Sequence, residues 1–142
     1  KVSMVESVDS VKLAHEIDRH CAAIGKVMDV LIEVNIGREE NKTGAMPEQL
    51  PEILEEAGKM EHIRVRGLMT IPPVCQTEDE VSQYFSQMHQ LFIDIKQKKY
   101  DNISMEILSM GMSADYLAAV RCGSNIVRIG TAMFGQRNYK RS

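Results

Sequence analysis

Apolar residues along this chain fall into two kinds of run, and the two kinds alternate. Val2 to Val5 is a short strand-like run, and the following "SVDS" offers Asp9 or Ser10 as a helix cap. Val11, Ala14, Ile17, Cys21 and Ile24 then recur at helical spacing until Gly25 stops them. "VMDVLIEVNI" (Val27 to Ile36) is rich in β-branched residues and nearly continuous, as a strand buried on both faces should be. The polar loop "GREENKTG" leads to Pro47, well placed in the first turn of a helix striped by Leu50, Ile53, Leu54, Ala57 and Met60. "IRVRGLMTI" (Ile63 to Ile71) is a third strand, ended by Pro72 and Pro73. Val81, Tyr84, Phe85, Met88, Leu91, Phe92 and Ile95 mark the clearest helix. "MEILSM" then predicts the fourth strand, Ser113 to Cys122 the fourth helix and "NIVRIG" the fifth strand.

Strands that alternate with helices in this way predict successive βα units and a parallel sheet. Right-handed crossovers leave two closures, an open doubly wound sheet or a (β/α)8 barrel, and periodicity does not separate them. A barrel needs eight strands, so the five strands here would be part of one. No internal repeat, linker or low-complexity tract divides the chain, and residues 1–142 read as a single domain.

Composition narrows the possibilities. The chain is 44% apolar and 26% charged, an ordinary globular balance. A net charge of -3 without a basic stripe argues against nucleic acid. No apolar run reaches the roughly 18 residues of a membrane span, and no signal peptide is visible. Cys21, Cys75 and Cys122 lie far apart without metal-ligand spacing, as reduced thiols of a cytoplasmic protein would. The chain has no initiator Met and starts within an apolar run, which reads as truncation.

Chemistry in parallel α/β folds gathers at the carboxyl ends of the strands. Two stretches at such ends share one design. In "LSMGMSADY", Gly111 opens the backbone and Ser113 is placed to cap the next helix, with Asp115 expected to point outward. In "VRIGTAMFG", Gly130 opens the backbone again, Thr131 adds a hydroxyl and an N–H, and "TAMF" fits a short helical turn. Adjacent strand ends with free N–H groups and hydroxyls make an anion site, suited to a phosphate ester. Charge-assisted hydrogen bonds of this type contribute roughly 1.5–3 kcal/mol each. Arg128, two residues before Gly130, must reach a ligand, solvent or a carboxylate such as Glu33 or Glu106.

These residues carry a resemblance. "VRIGTAMFG", "LSMGMSADY", "RGLMTIPP" and "VNIGREENKTG" look like the pyridoxal phosphate homeostasis proteins, in order and over essentially the whole chain. The resemblance implies an alanine-racemase-like, fold type III (β/α)8 barrel of which this chain holds about the last five strands. It implies a binding protein for pyridoxal 5′-phosphate, engaged in keeping that cofactor in balance and without catalytic turnover. By resemblance, Ser113, Gly130 and Thr131, with the backbone of Met112, hold the phosphate, and Arg128 faces the pyridine nitrogen. A guanidinium stays protonated, so it disfavours a protonated ring and suits a carrier.

One departure is large. The family's Schiff-base lysine lies at the carboxyl end of the first barrel strand, and no such segment exists here. Lys1, Lys12, Lys26, Lys42, Lys59, Lys96, Lys98, Lys99 and Lys140 all read as helix, loop or terminal positions, with Lys42 the one able to approach the site. Two other readings compete. A pyridoxal-phosphate racemase would need a second domain and a catalytic tyrosine, for which Tyr139 in the basic tail is a poor candidate. An unrelated barrel enzyme acting on a phosphorylated metabolite would need an acid or base from Glu33, Asn35 or Glu106. An incomplete barrel also predicts self-association through exposed strand edges.

Overall fold

A computed structural model describes residues 2–135, in which five parallel strands form one curled sheet. The strands are β1 (Met4–Val8), β2 (Met28–Val34), β3 (Ile63–Thr70), β4 (Ile103–Met112) and β5 (Ile126–Arg128), lying side by side in sequence order. Between them run α1 (Val11–Ala23), α2 (Leu50–Gly58, entered through a 3-10 turn at Pro47–Gln49), α3 (Glu78–Lys98) and α4 (Tyr116–Arg121), and β5 leads into the one-turn α5 (Thr131–Phe134). Tyr139, Lys1 and Lys140 lie outside the described residues.

Local chemistry sets most of these boundaries. Ser10 is extended and its hydroxyl accepts the Leu13 N–H, which starts α1; Thr77 does the same for α3 through Glu80. The helical stripes bury themselves as expected: Leu50, Ile53, Leu54 and Ala57 from α2, Val81, Phe85, Met88, Phe92 and Ile95 from α3. Against them pack Val30, Ile32, Val34, Ile63, Val65, Leu68 and Leu108 from the sheet.

Two boundaries shift by three residues, while β4 runs longer than "MEILSM" and β5 shorter than "NIVRIG". The first strand is Met4–Val8, because Val8 is the fully buried residue that plugs the core while Val2 stays exposed. The fourth helix starts at Tyr116 and not at Ser113, because the Ser113 hydroxyl is engaged elsewhere and Asp115 takes the cap position.

The face of the sheet turned away from the helices carries charged and polar side chains among apolar ones. Near the amino ends of the strands, Asp29 pairs with Arg64 at 2.8 Å and with Arg66 at 2.9 Å, and Arg66 also pairs with Glu106. Further along, Glu33, Met69, Ser109 and Ile126 are register partners on β2 to β5 and so share one face. The Ser109 hydroxyl donates to Glu6 Oε2 on β1 at 3.2 Å. In a flat sheet β1 and β4 would be about 14 Å apart, three strand spacings. The sheet is therefore curled as the wall of a barrel.

Candidate functional site

The carboxyl ends of β4 and β5 meet as the sequence suggests, through a contact it does not reveal. The Ser113 Oγ accepts the N–H of Gly130 at 3.3 Å and the N–H of Ala132 at 3.1 Å. Two peptide donors from the β5–α5 turn thus converge on one oxygen atom presented by the β4–α4 turn. Ser113 does not cap α4; its hydroxyl oxygen serves as the acceptor for both N–H groups. A Cβ built on Gly130 would meet no atom within 4 Å, so the approach to these donors is open. Thr131 stands beside them as the first residue of α5.

Asp115 does not point outward. Its Oδ1 accepts the Met112 N–H at 2.7 Å, closing a turn around Ser113 and Ala114. The carboxylate satisfies a donor that the bend leaves without a strand partner, and it occupies that N–H in this state. Gly111 has φ +99°, and a Cβ there would lie 2.6 Å from the Ala119 Cβ. The glycine therefore serves the seating of α4 on the sheet. Alongside runs a cleft of about 500 Å³ between the β3–α3 and β4–α4 turns, lined by Pro73, Cys75, Thr77, Met112, Ser113 and Tyr116 among others.

Arg128 lies across the polar face. Its Nη1 donates to Ser109 Oγ at 2.7 Å and its Nη2 to the Thr70 carbonyl at 3.0 Å. Neither carboxylate considered from the sequence pairs with it. Glu106 is held by Arg66, and Glu33 Oε1 accepts the Thr43 hydroxyl at 2.7 Å. Burial pushes the Arg128 pKa down, and the nearby charges of Glu6, Glu33 and Asp115 oppose that shift. A guanidinium keeps its proton regardless.

The loop "GREENKTG" is an ordered strap. Asn35 clasps Glu39 by donating to its carbonyl and accepting its N–H, at 2.8 and 3.1 Å. Lys42 sits exposed on this strap, and none of the described lysines lies on a strand. Asn35 and Glu106 are committed to structural partners. Ser109, Thr70 and Glu6 also join the network around Arg128, and none of them stands out in the strand-end motifs. The signal was present for the first two, since a hydroxyl inside an apolar parallel strand needs a partner.

The family profile described as "Alanine racemase, N-terminal domain" matches residues 1–138. The chain belongs to that family. It is similar to the protein named pyridoxal phosphate homeostasis protein of Aquifex aeolicus, 43% identical over 139 residues that cover 98% of this chain and 60% of that protein. PipY of Synechococcus elongatus PCC7942, solved without PLP, superposes with a TM-score of 0.87 at 32% identity, covering 94% of this chain and 61% of that one. Its structure with PLP bound gives 0.84 at 30% identity, with the same coverage of 94% and 61%. The resemblance read from the motifs and the barrel-type fold are both borne out. Diaminopimelate decarboxylase from Helicobacter pylori, 12% identical with a TM-score of 0.69 over 89% of this chain and 38% of that one, shares the fold alone. The chain spans about 60% of the length of the curated relatives it matches. Among the described residues no helix is long and apolar enough to cross a membrane, and no three side chains form a metal-ligand cluster.

Proposed function

We propose that this chain binds pyridoxal 5′-phosphate as part of a protein that keeps the cofactor supply in balance, and that it carries out no turnover itself. One observation supports this above the others: the Gly130 and Ala132 N–H groups converge on a single oxygen, that of Ser113, beside an open approach at Gly130. A phosphate oxygen is a stronger acceptor than a hydroxyl and suits those donors better. The residues present fit the phosphate end of the cofactor. Ser113, Gly130 and Thr131 hold it, joined by the Met112 N–H once Asp115 lets go. Arg128 meets the ring nitrogen and, being a pure donor, favours the unprotonated ring.

The cofactor supplies an electrophilic aldehyde and an electron-withdrawing ring. The described residues supply non-covalent holding, since no lysine among them stands at the carboxyl end of a strand. The named relatives are homeostasis proteins, which supports binding without turnover. Under the same reading the chain covers its free sheet edges by pairing with a second copy.

The test is a titration of the purified chain with pyridoxal 5′-phosphate, with inorganic phosphate as competitor, followed by borohydride trapping and peptide mapping. Saturable binding that phosphate competes away, without one preferentially labelled lysine, is the expected result. The absence of phosphate competition would sink the cradle.

A further inference from the structure

We propose that Ser109 is the positioning residue of the ring end of this site, aiming Arg128 at the cofactor's ring nitrogen; this rests on the function proposed above. Ser109 is fully buried in β4, in a row with Met69 and Ile126, where an unsatisfied hydroxyl would be costly. It is satisfied twice. Oγ accepts from Arg128 Nη1 at 2.7 Å and donates to Glu6 Oε2 at 3.2 Å. A guanidinium has only donors, so its bond to Oγ forces the hydroxyl's own hydrogen toward another acceptor, and Glu6 is that acceptor.

The second arm is tied as well. Nη2 donates to the Thr70 carbonyl at 3.0 Å, and the Thr70 hydroxyl donates in turn to the Val34 carbonyl at 2.7 Å. A planar group held at two points has its plane fixed. The hydroxyl also keeps Glu6 at one remove. Among the described residues no ion pair within 4.0 Å joins Arg128 to Glu6 or Glu33. A direct carboxylate fork would consume the guanidinium's donors; a serine between the two leaves donors for a ligand. Without the hydroxyl, Glu6 and Arg128 are free to pair directly and draw the guanidinium off the ring.

The experiment compares wild type, Arg128→Ala, Ser109→Ala, Ser109→Thr and Glu6→Ala. Three quantities are measured for each: affinity for pyridoxal 5′-phosphate, affinity for inorganic phosphate, and the nitrogen-15 NMR signals of the arginine guanidinium groups. Far-ultraviolet circular dichroism checks that each variant folds. Ser109→Ala is expected to weaken the cofactor about tenfold, the scale of one hydrogen bond to a charged group, and to leave inorganic phosphate unchanged. The same variant should collapse the resolved Nη signals of Arg128, and Ser109→Thr should restore them because it keeps the hydroxyl. Glu6→Ala, at a half-buried position, removes the carboxylate that competes for the guanidinium and should leave the cofactor-to-phosphate affinity ratio at or above the wild-type value; a lower ratio would overturn the role given to Ser109, and this variant keeps the test open if a buried substitution fails to fold.

If Arg128→Ala lowers the cofactor-to-phosphate affinity ratio and Ser109→Ala does not, Ser109 has no positioning role. If Arg128→Ala leaves the ratio unchanged, the placement of the ring end falls and takes the proposal with it. If wild type binds neither ligand, the proposed function fails, and unchanged Arg128 signals in Ser109→Ala would overturn the positioning separately.

Discussion

Gly130 tests the cradle at the scale of one residue. Its φ is -123°, outside the left-handed region that favours glycine, and a Cβ there meets nothing within 4 Å. Gly130→Ala should leave the melting temperature unchanged and still weaken phosphate binding, because the methyl group fills the approach to the donors. Equal losses of stability and binding, in thermal melts and calorimetric titrations, would refute that account. Cys75 gives a second residue-scale prediction. Burial, followed by the charges of Glu80, Asp115 and Glu39, raises its thiol pKa. The thiolate is the reactive form, so alkylation at neutral pH should be slower than for a free cysteine and should catch up only as pH rises past the usual thiol range. Mass spectrometry of a timed iodoacetamide reaction reads this directly. Ser113, Gly130 and Thr131 are legible as a candidate site because glycine and hydroxyl residues at strand ends have a local chemical meaning. That Ser113 receives N–H groups from a turn 17 residues away was not legible, since the contact exists only once the sheet has formed.

At the scale of elements, the strand and helix periods carried the alternation but not its edges. Val8 sits beside the "DS" cap, so its sequence context says helix start, yet its burial makes it the end of β1. The same competition moved the start of α4. Ser113 has the chemistry of a cap, but the neighbouring turn offered it two donors, and Asp115 replaced it. Seating of α4 then depends on Gly111, which has φ +99° and lies against Ala119 and Tyr116. Gly111→Ala must both strain the backbone and push α4 away, an overpacking cost of about 1–3 kcal/mol. A fall in the denaturant midpoint, with ligand binding lost in parallel, is the expected outcome. Unchanged stability would mean that α4 shifts freely, and the rigidity of the β4–α4 turn would have to be abandoned.

The whole molecule presents a sheet whose outer strands, β1 and β5, each have one neighbour. Unpaired strand edges invite pairing with another chain. Which edge pairs follows from symmetry. A β1 edge meeting a β5 edge closes only if the curl of the two sheets also brings the second pair of edges together, whereas β1 meeting β1 across a two-fold axis closes as a dimer without that condition. β1 has five residues and β5 only three, so β1 offers the longer ladder. The inner face adds little drive toward collapse, because Asp29, Arg64, Arg66 and Glu106 pair with one another and Glu6, Glu33 and Arg128 are held by hydroxyl groups. Association should therefore be specific and saturable. Sedimentation velocity over a range of concentrations is expected to show a monomer–dimer equilibrium. Ser7→Lys, at an exposed position of β1, should shift it to monomer without loss of folded structure, because it puts like charges on both edges of the shared ladder. A monomer at every concentration, with sharp and dispersed NMR signals, would show that a curled five-stranded sheet can leave its edges open to water.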